Sequence, residues 1–196
     1  MPAKDIKIGE RIRGLRRAKG LSIADVAEQS GVAESTIASI EGHVISPPLG
    51  YLVSLAKVFD IPVGDLFGDS GDSPYCLVRS DNRKPVSRFN STDGKSGGYS
   101  YESLGQTKKN RQMEPFLVTL TPAESLPVEP NQHIGEEIIF VLEGKIEVSL
   151  VDKREILNPG DSIYYDSTMP HVVSCYGKEP ATILAVIYAK DEMIIL

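Results

Sequence analysis

Cysteine is nearly absent. Cys76 and Cys175 are the two in 196 residues, and they stand far apart. That excludes a cysteine-based metal motif and a dense disulfide framework, and makes the cytoplasm the default compartment. No apolar run approaches the roughly 20 residues that a bilayer span requires. The opening Met1-Pro2-Ala3-Lys4-Asp5 has no apolar signal region. Neither a membrane partner nor secretion is expected. A basic excess is missing too. The chain has 21 basic and 27 acidic residues, a net charge of −6, which taken alone argues against a nucleic-acid partner.

The charge is unevenly placed. Residues 1–68 carry eight basic and eight acidic residues, whereas residues 69–196 carry 13 and 19. Most of the early basic residues crowd between Lys4 and Lys19. A localised basic face beside an acidic second half suits an operator-specific DNA binder better than a general DNA coater. Apolar residues make up 41% of the chain, enough for a buried core in one large or two small domains.

The early region has helical periodicity. Ile8, Ile12 and Leu15 form one stripe of a helix over 8–19, with Arg11, Arg16, Arg17 and Lys19 as candidate phosphate contacts. Ser22 can cap a second helix, and Asp25, three residues on, comes close to a capping box. Ile23, Val26 and Ala27 recur at helical spacing. Gly31 supplies the positive φ that a tight turn needs. A third helix over 33–40 buries Ile37 and Ile40 and stops at Gly42. Two short helices around a glycine turn make a helix-turn-helix. A fourth helix over 49–59 and a short fifth over 63–67 follow Pro47-Pro48. The small polar stretch 69–74 is read as a linker between a domain at 1–68 and another at 75–196.

Gly20-Leu21-Ser22, Ala27, Gly31-Val32, Ser35-Thr36-Ile37 and Ile40-Glu41 together resemble the lambda-repressor-like, or XRE-type, DNA-binding domain. The resemblance implies a five-helix fold. It places Glu34, Ser35, Thr36 and Ser39 on the polar face of the recognition helix, toward base edges in the major groove. Arg16, Arg17, Lys19 and Ser22 join them as DNA-binding candidates. It also implies that Arg16 pairs structurally with Glu41. Ile23 replaces the glutamine that often clamps phosphate in this family. Affinity per half-site is therefore expected to be modest, and a homodimer on a pseudopalindromic operator is required.

After Tyr75 the pattern shifts to short strands and turns. Candidates are 76–79, 116–121, 138–142, 145–151, 155–157, 162–165, 172–175 and 183–189, with a Gly- and Ser-rich insertion at 93–98. So many short antiparallel strands suggest a sandwich or jelly roll. His133, Glu137 and Gly144, then Gly160-Asp161 and His171, resemble the two motifs of the cupin β-barrel. Asn131 stands where the first motif has its first histidine, and Cys175 where the second has asparagine. The whole chain is thus expected to be an α+β two-domain protein.

The resemblance makes His133, Glu137 and His171 a 2-His-1-carboxylate set for a divalent metal (Zn, Fe, Mn or Ni). His133 and Glu137 face one way if their strand is regular. A cupin that has lost its metal and keeps a polar pocket is the alternative. Tyr101, Arg111, Asn131 and Gln132 are candidate ligand-pocket groups, with edge-strand surface as their plainer reading. XRE-plus-cupin regulators have this size and domain order, which implies a transcriptional regulator sensing a small-molecule effector, not an enzyme. The same order, with the same His-x-x-x-Glu and distant His, also resembles hydroxypropylphosphonic acid epoxidase, a mononuclear non-haem iron enzyme. In that reading Lys108, Lys109 and Arg111 would hold a phosphonate.

Overall fold

The computed structural model describes residues 7–69, 71–83, 98–122 and 129–189. Lys4 and most of the 93–98 insertion lie outside these residues. Five helices come first: α1 (Ile8–Ala18), α2 (Ile23–Ser30), α3 (Glu34–Glu41), α4 (Leu49–Phe59) and α5 (Val63–Leu66). The α2 start is a complete capping box. Ser22 Oγ accepts from the Asp25 amide at 3.0 Å, and Asp25 Oδ2 accepts from the Ser22 amide at 2.7 Å. Two of the amides orphaned at the helix start are satisfied this way. Gly31 closes α2 at φ +71°, as expected. At the end of α3 the expectation shifts by one residue. Gly42 keeps a right-handed φ of −84°, and His43 adopts the left-handed turn at φ +60°.

Ile8 and Ile12 of α1, Val26 of α2, Ile37 and Ile40 of α3, and Leu52, Leu55 and Phe59 of α4 are fully buried together. Each such side chain contributes roughly 1.5–3 kcal/mol relative to exposure. None of the helices among the described residues is long and apolar enough to cross a membrane.

Eight strands follow: β1 (Tyr99–Ser103), β2 (Met113–Leu120), β3 (Glu136–Glu143), β4 (Ile146–Leu150), β5 (Lys153–Leu157), β6 (Ser162–Asp166), β7 (His171–Cys175) and β8 (Ala181–Tyr188). They form a five-stranded antiparallel sheet in the order β1-β2-β8-β3-β6 and a three-stranded one in the order β5-β4-β7. The two sheets make an open jelly roll, not a closed barrel. Alternate residues point inward, as in β2, where Phe116, Val118 and Leu120 are buried, and in β8, where Ala181, Ile183, Ala185 and Ile187 are buried. Residues 76–79, expected as a strand, pair with no strand among the described residues and lead into a 3-10 turn at Ser80–Asn82. Strand β1 was not expected.

Asp69 and Ser73, at the two ends of the expected linker, are fastened to the second half of the chain. Asp69 accepts from Arg111 Nη2 at 2.8 Å and from Ser103 Oγ at 2.7 Å. The Ser73 amide donates to Thr107, and the Ser73 carbonyl accepts from Lys109.

Candidate metal centre and DNA-binding face

The two cupin-like motifs meet through a short backbone bridge. Asn131 and His171 exchange amide–carbonyl hydrogen bonds at 3.0 and 2.9 Å, and the His133 amide donates to Ser167 at 2.9 Å. His171 opens β7 and Glu137 is the second residue of β3. His133 lies before β3 in an irregular turn through Gly135 at φ +106°. It therefore faces Glu137 because of that turn and the Ser167 bond, not through regular strand alternation.

One ligand atom from each of His133, Glu137 and His171 falls within a 4.8 Å cluster, and all three residues are buried. Glu137 Oε2 is 3.9 Å from His133 Nε2 and 4.0 Å from His171 Nε2. The other imidazole nitrogens are tied to backbone carbonyls, His133 Nδ1 to Ile134 at 3.2 Å and His171 Nδ1 to Met169 at 2.8 Å. Carbonyls only accept, so each Nδ1 carries its proton and each Nε2 turns a lone pair inward. Tyr165, directly opposite Glu137 in the β3–β6 ladder, donates its hydroxyl to Glu137 Oε2 at 2.9 Å.

Burial holds both histidines neutral, pushing His133 down to about 4 and His171 also down. Burial lifts Glu137 to about 7 against the opposing Tyr165 bond. His133 Nε2 is buried with no hydrogen-bond partner. Two inward lone pairs, one of them on an orphaned nitrogen, and a carboxylate with no Lys or Arg beside it among the described residues fit a divalent metal, with Tyr165 and the two carbonyls orienting its ligands. When bound, such an ion supplies a Lewis-acid centre with open positions.

A cavity of about 40 Å³ opens beside Glu137 and His171. Tyr99, Tyr101, Glu129, Asn131 and Ile139 line it, and so do Pro48, Leu49 and Gly50 of the helical domain. Of the four expected pocket residues, Tyr101 and Asn131 are here. Gln132 is exposed, and with Arg111 and His133 it faces a separate cleft of about 670 Å³ between the domains. Arg111 is fully engaged elsewhere. Its guanidinium binds Glu114 Oε2 at 2.7 Å, Asp69 Oδ2 at 2.8 Å and the Gly105 carbonyl at 2.8 Å. Lys109 is exposed, and the Lys108 ammonium donates to the Lys109 carbonyl. The structure does not gather Lys108, Lys109 and Arg111 around the His–Glu cluster.

In the helical domain Arg16 grips Glu41 through Nε at 2.6 Å and Nη2 at 2.8 Å, and its Nη1 donates to the Leu21 carbonyl at 3.1 Å. Arg13, which sequence reasoning missed, adds a contact to each of the Glu41 side chain and carbonyl. The expected Arg16–Glu41 pair is present, and it corrects the other role given to Arg16. With its guanidinium occupied and its side chain 13% exposed, it is not free for phosphate, whereas Arg17 and Lys19 are exposed. Ser22 is occupied by the capping box. On α3, Glu34 and Ser35 are exposed, Thr36 is half-buried, and Ser39 donates to the Ser35 carbonyl at 2.7 Å.

Comparison with known proteins agrees with both halves. The helix-turn-helix family matches residues 12–66, and the cupin domain family matches residues 116–187. The HTH-type transcriptional regulator PuuR of Escherichia coli is 29% identical over 168 residues, 85% of this chain and 86% of that protein. The (S)-2-hydroxypropylphosphonic acid epoxidase of Streptomyces wedmorensis is 25% identical over 186 residues, 90% of this chain and 93% of that enzyme. A crystal structure of an HTH_3 family transcriptional regulator from Vibrio cholerae superposes with a TM-score of 0.59 at 21% identity, covering 95% of this chain and 97% of that one, a likeness of fold. The chain joins an XRE-type helix-turn-helix domain to a cupin domain and is homologous to HTH-type transcriptional regulators.

Proposed function

We propose that the protein is a sequence-specific DNA-binding regulator of the cytoplasm whose cupin domain takes a small molecule beside a divalent metal held by His133, Glu137 and His171. The observation that carries the DNA half is the Arg16–Glu41 clasp. It ties α1 to the end of α3 while leaving Glu34 and Ser35 exposed at the start of α3. A recognition helix reads base edges with those N-terminal residues. Hydroxyls and one carboxylate discriminate weakly compared with a bidentate arginine–guanine contact. Two chains on a pseudopalindromic site, with half-sites about 34–36 Å apart or a multiple of that, supply the rest. The homodimer has a surface available. Ile138, Phe140 and Tyr164 are 43%, 40% and 63% exposed on the outer face of the five-stranded sheet.

Selection of random duplex DNA by the purified protein tests this reading. An enriched palindromic motif is expected, and no enrichment overturns it. Arg17→Ala should weaken binding to all sequences and reduce the slope of log affinity against log salt by about 1. Ser35→Ala and Thr36→Ala should instead change which bases are preferred.

A second reading rests on the 2-His-1-carboxylate arrangement and the epoxidase relative: a mononuclear iron oxygenase. Arg111, held by Asp69 and Glu114, weighs against a phosphonate site of the expected composition. Oxygen uptake by the iron-loaded protein with a phosphonate panel separates the two. None is expected of the regulator.

A further inference from the structure

The cavity beside the metal cluster is walled on one side by the DNA-binding domain. Tyr101, a fully buried side chain of the cupin core, donates its hydroxyl to the Pro47 carbonyl at 2.7 Å. Ser46 Oγ donates to the Tyr99 carbonyl. One turn on, Tyr51 reaches the Glu129 carbonyl at 3.3 Å. Gly50 lies against the site itself. A Cβ built there would come 2.3 Å from Asn131 Nδ2 and 3.2 Å from His133 Cδ2. The segment before α4 and its first turn therefore fit the mouth of the cupin closely.

The volume left behind is small. About 40 Å³ is room for about three waters, at roughly 10–15 Å³ each. A small-molecule effector needs a pocket of roughly 300–1,000 Å³. The lining is mainly apolar (Leu49, Val118, Leu120, Ile139, Ile183), with Asn131 Nδ2 buried and without a partner. That chemistry suits a compact molecule with an apolar body and one polar, metal-seeking end.

We infer that residues 46–51 of the DNA-binding domain are the lid and fourth wall of the cupin ligand site, so that an effector enters only as this lid lifts. The inference rests on the cupin cavity being the effector site. Its consequence is direct coupling within one chain. The lid is continuous with α4, which packs on the helix-turn-helix, so a filled cavity and the closed placement of that domain exclude one another. The coupling is reciprocal by linkage.

Diethyl pyrocarbonate, which carbethoxylates neutral imidazole, probes the lid without metal, effector or DNA. His171 borders the cavity and its side chain is 6% exposed, so its rate reports the lid, and the same chain compared oxidised and reduced supplies the control. An alanine at position 50 can be absorbed if Asn131 turns aside, so Gly50→Leu is the opening variant. Leucine also favours the helix. For closure, a Cβ at Gly98 would lie 3.0 Å from Ser46 Cβ, so a separation of about 0.5 Å more brings the pair into the roughly 3.5–4.5 Å that a disulfide spans. Ser46→Cys with Gly98→Cys, in a Cys76→Ser/Cys175→Ser background, therefore gives a tether that one polypeptide forms and releases.

Mass spectrometry should show His171 modified at least ~10-fold faster in Gly50→Leu than in wild type. It should be ~10-fold slower in the oxidised tether than in the same chain reduced. Carbethoxylating the reduced chain first should then block disulfide formation. Equal His171 rates in oxidised and reduced chain overturn the lid, as does a tether that closes undiminished over a modified His171. Failure of DNA selection or of metal binding would leave these rates unchanged, so the lid and the proposed function fail separately.

Discussion

Replacing Arg16 by alanine tests whether the clasp on Glu41 holds the helix-turn-helix together. The Glu41 side chain is 3% exposed and accepts two short charge-assisted bonds from Arg16. Removing one partner of a fully buried pair costs about 3–5 kcal/mol, and losing an exposed pair about 0–1 kcal/mol. Here Arg13 survives the substitution, but its contact is longer, at 3.4 Å, and its side chain is 40% exposed. An intermediate loss of about 2–3 kcal/mol follows. All five α-helices of the described residues belong to this domain, so far-ultraviolet circular dichroism during urea titration reports its unfolding. With a slope of roughly 1–3 kcal/mol per molar, the helical midpoint should fall by about 0.7–3 M.

Two controls separate orphaned charge from lost packing. Arg16→Met with Glu41→Leu removes both charges and should restore most of the midpoint. The second control is pH. Burial raises the Glu41 carboxyl, but its bonds to Arg16 and then Arg13 outweigh burial and leave it lowered. A carboxyl lowered on folding stabilises above its unfolded value, about 4.3, and loses that contribution as pH falls through the folded value. The gap between wild type and Arg16→Ala should therefore narrow in acid. A midpoint shift under about 0.3 M at pH 7, or a gap that widens in acid, refutes the reasoning.

Arg111→Ala should destabilise the chain by about 2–4 kcal/mol in chemical denaturation, because Asp69 and Glu114 are 3% and 8% exposed at the side chain. Burial raises both carboxyls even against the Arg111 contacts, so without the arginine they prefer their protons and the variant should regain stability as pH falls. His133→Ala should lower bound divalent metal at least tenfold by elemental analysis, and equal content in both proteins would remove His133 from the site. Phe140→Asp should shift the full chain toward monomer in sedimentation if the outer face of the five-stranded sheet is the dimer interface.

What the sequence disclosed follows from the range of the interactions involved. The helix-turn-helix was legible because its determinants are local. The Ser22–Asp25 box closes over three residues, Gly31 answers a φ within one, and Arg16 meets Glu41 across a packing that the family resemblance supplied. The grouping of His133, Glu137 and His171 was legible from residue types and motif spacing, although the strand parity that related His133 to Glu137 does not apply, because His133 lies before β3. The failures are non-local. Residues 76–79 have the apolar, β-favouring look of a strand, but a strand needs a ladder partner and none among the described residues is paired with them. Tyr99–Ser103 reads as a loop with scattered tyrosines until β2 lies beside it, pairing Tyr101 with Val118.

The same limit hid the residues that complete the site. Tyr165 is two positions past Ile163 in the second cupin motif, and nothing in that motif marks it. Only the β3–β6 register sets it opposite Glu137. Arg111 looked like an anion ligand because its partners, Asp69 and Glu114, come from the linker and from β2, and no spacing links them. Gly50 is the extreme case. Within α4 a glycine costs about 1 kcal/mol relative to alanine, and the sequence offers no reason for it. The reason lies some 80 residues away in Asn131 and His133, which crowd a Cβ placed there unless Asn131 turns aside. A helix that gives up propensity at the position facing Asn131 and His133 of another domain is shaped for that contact as well as for its own core.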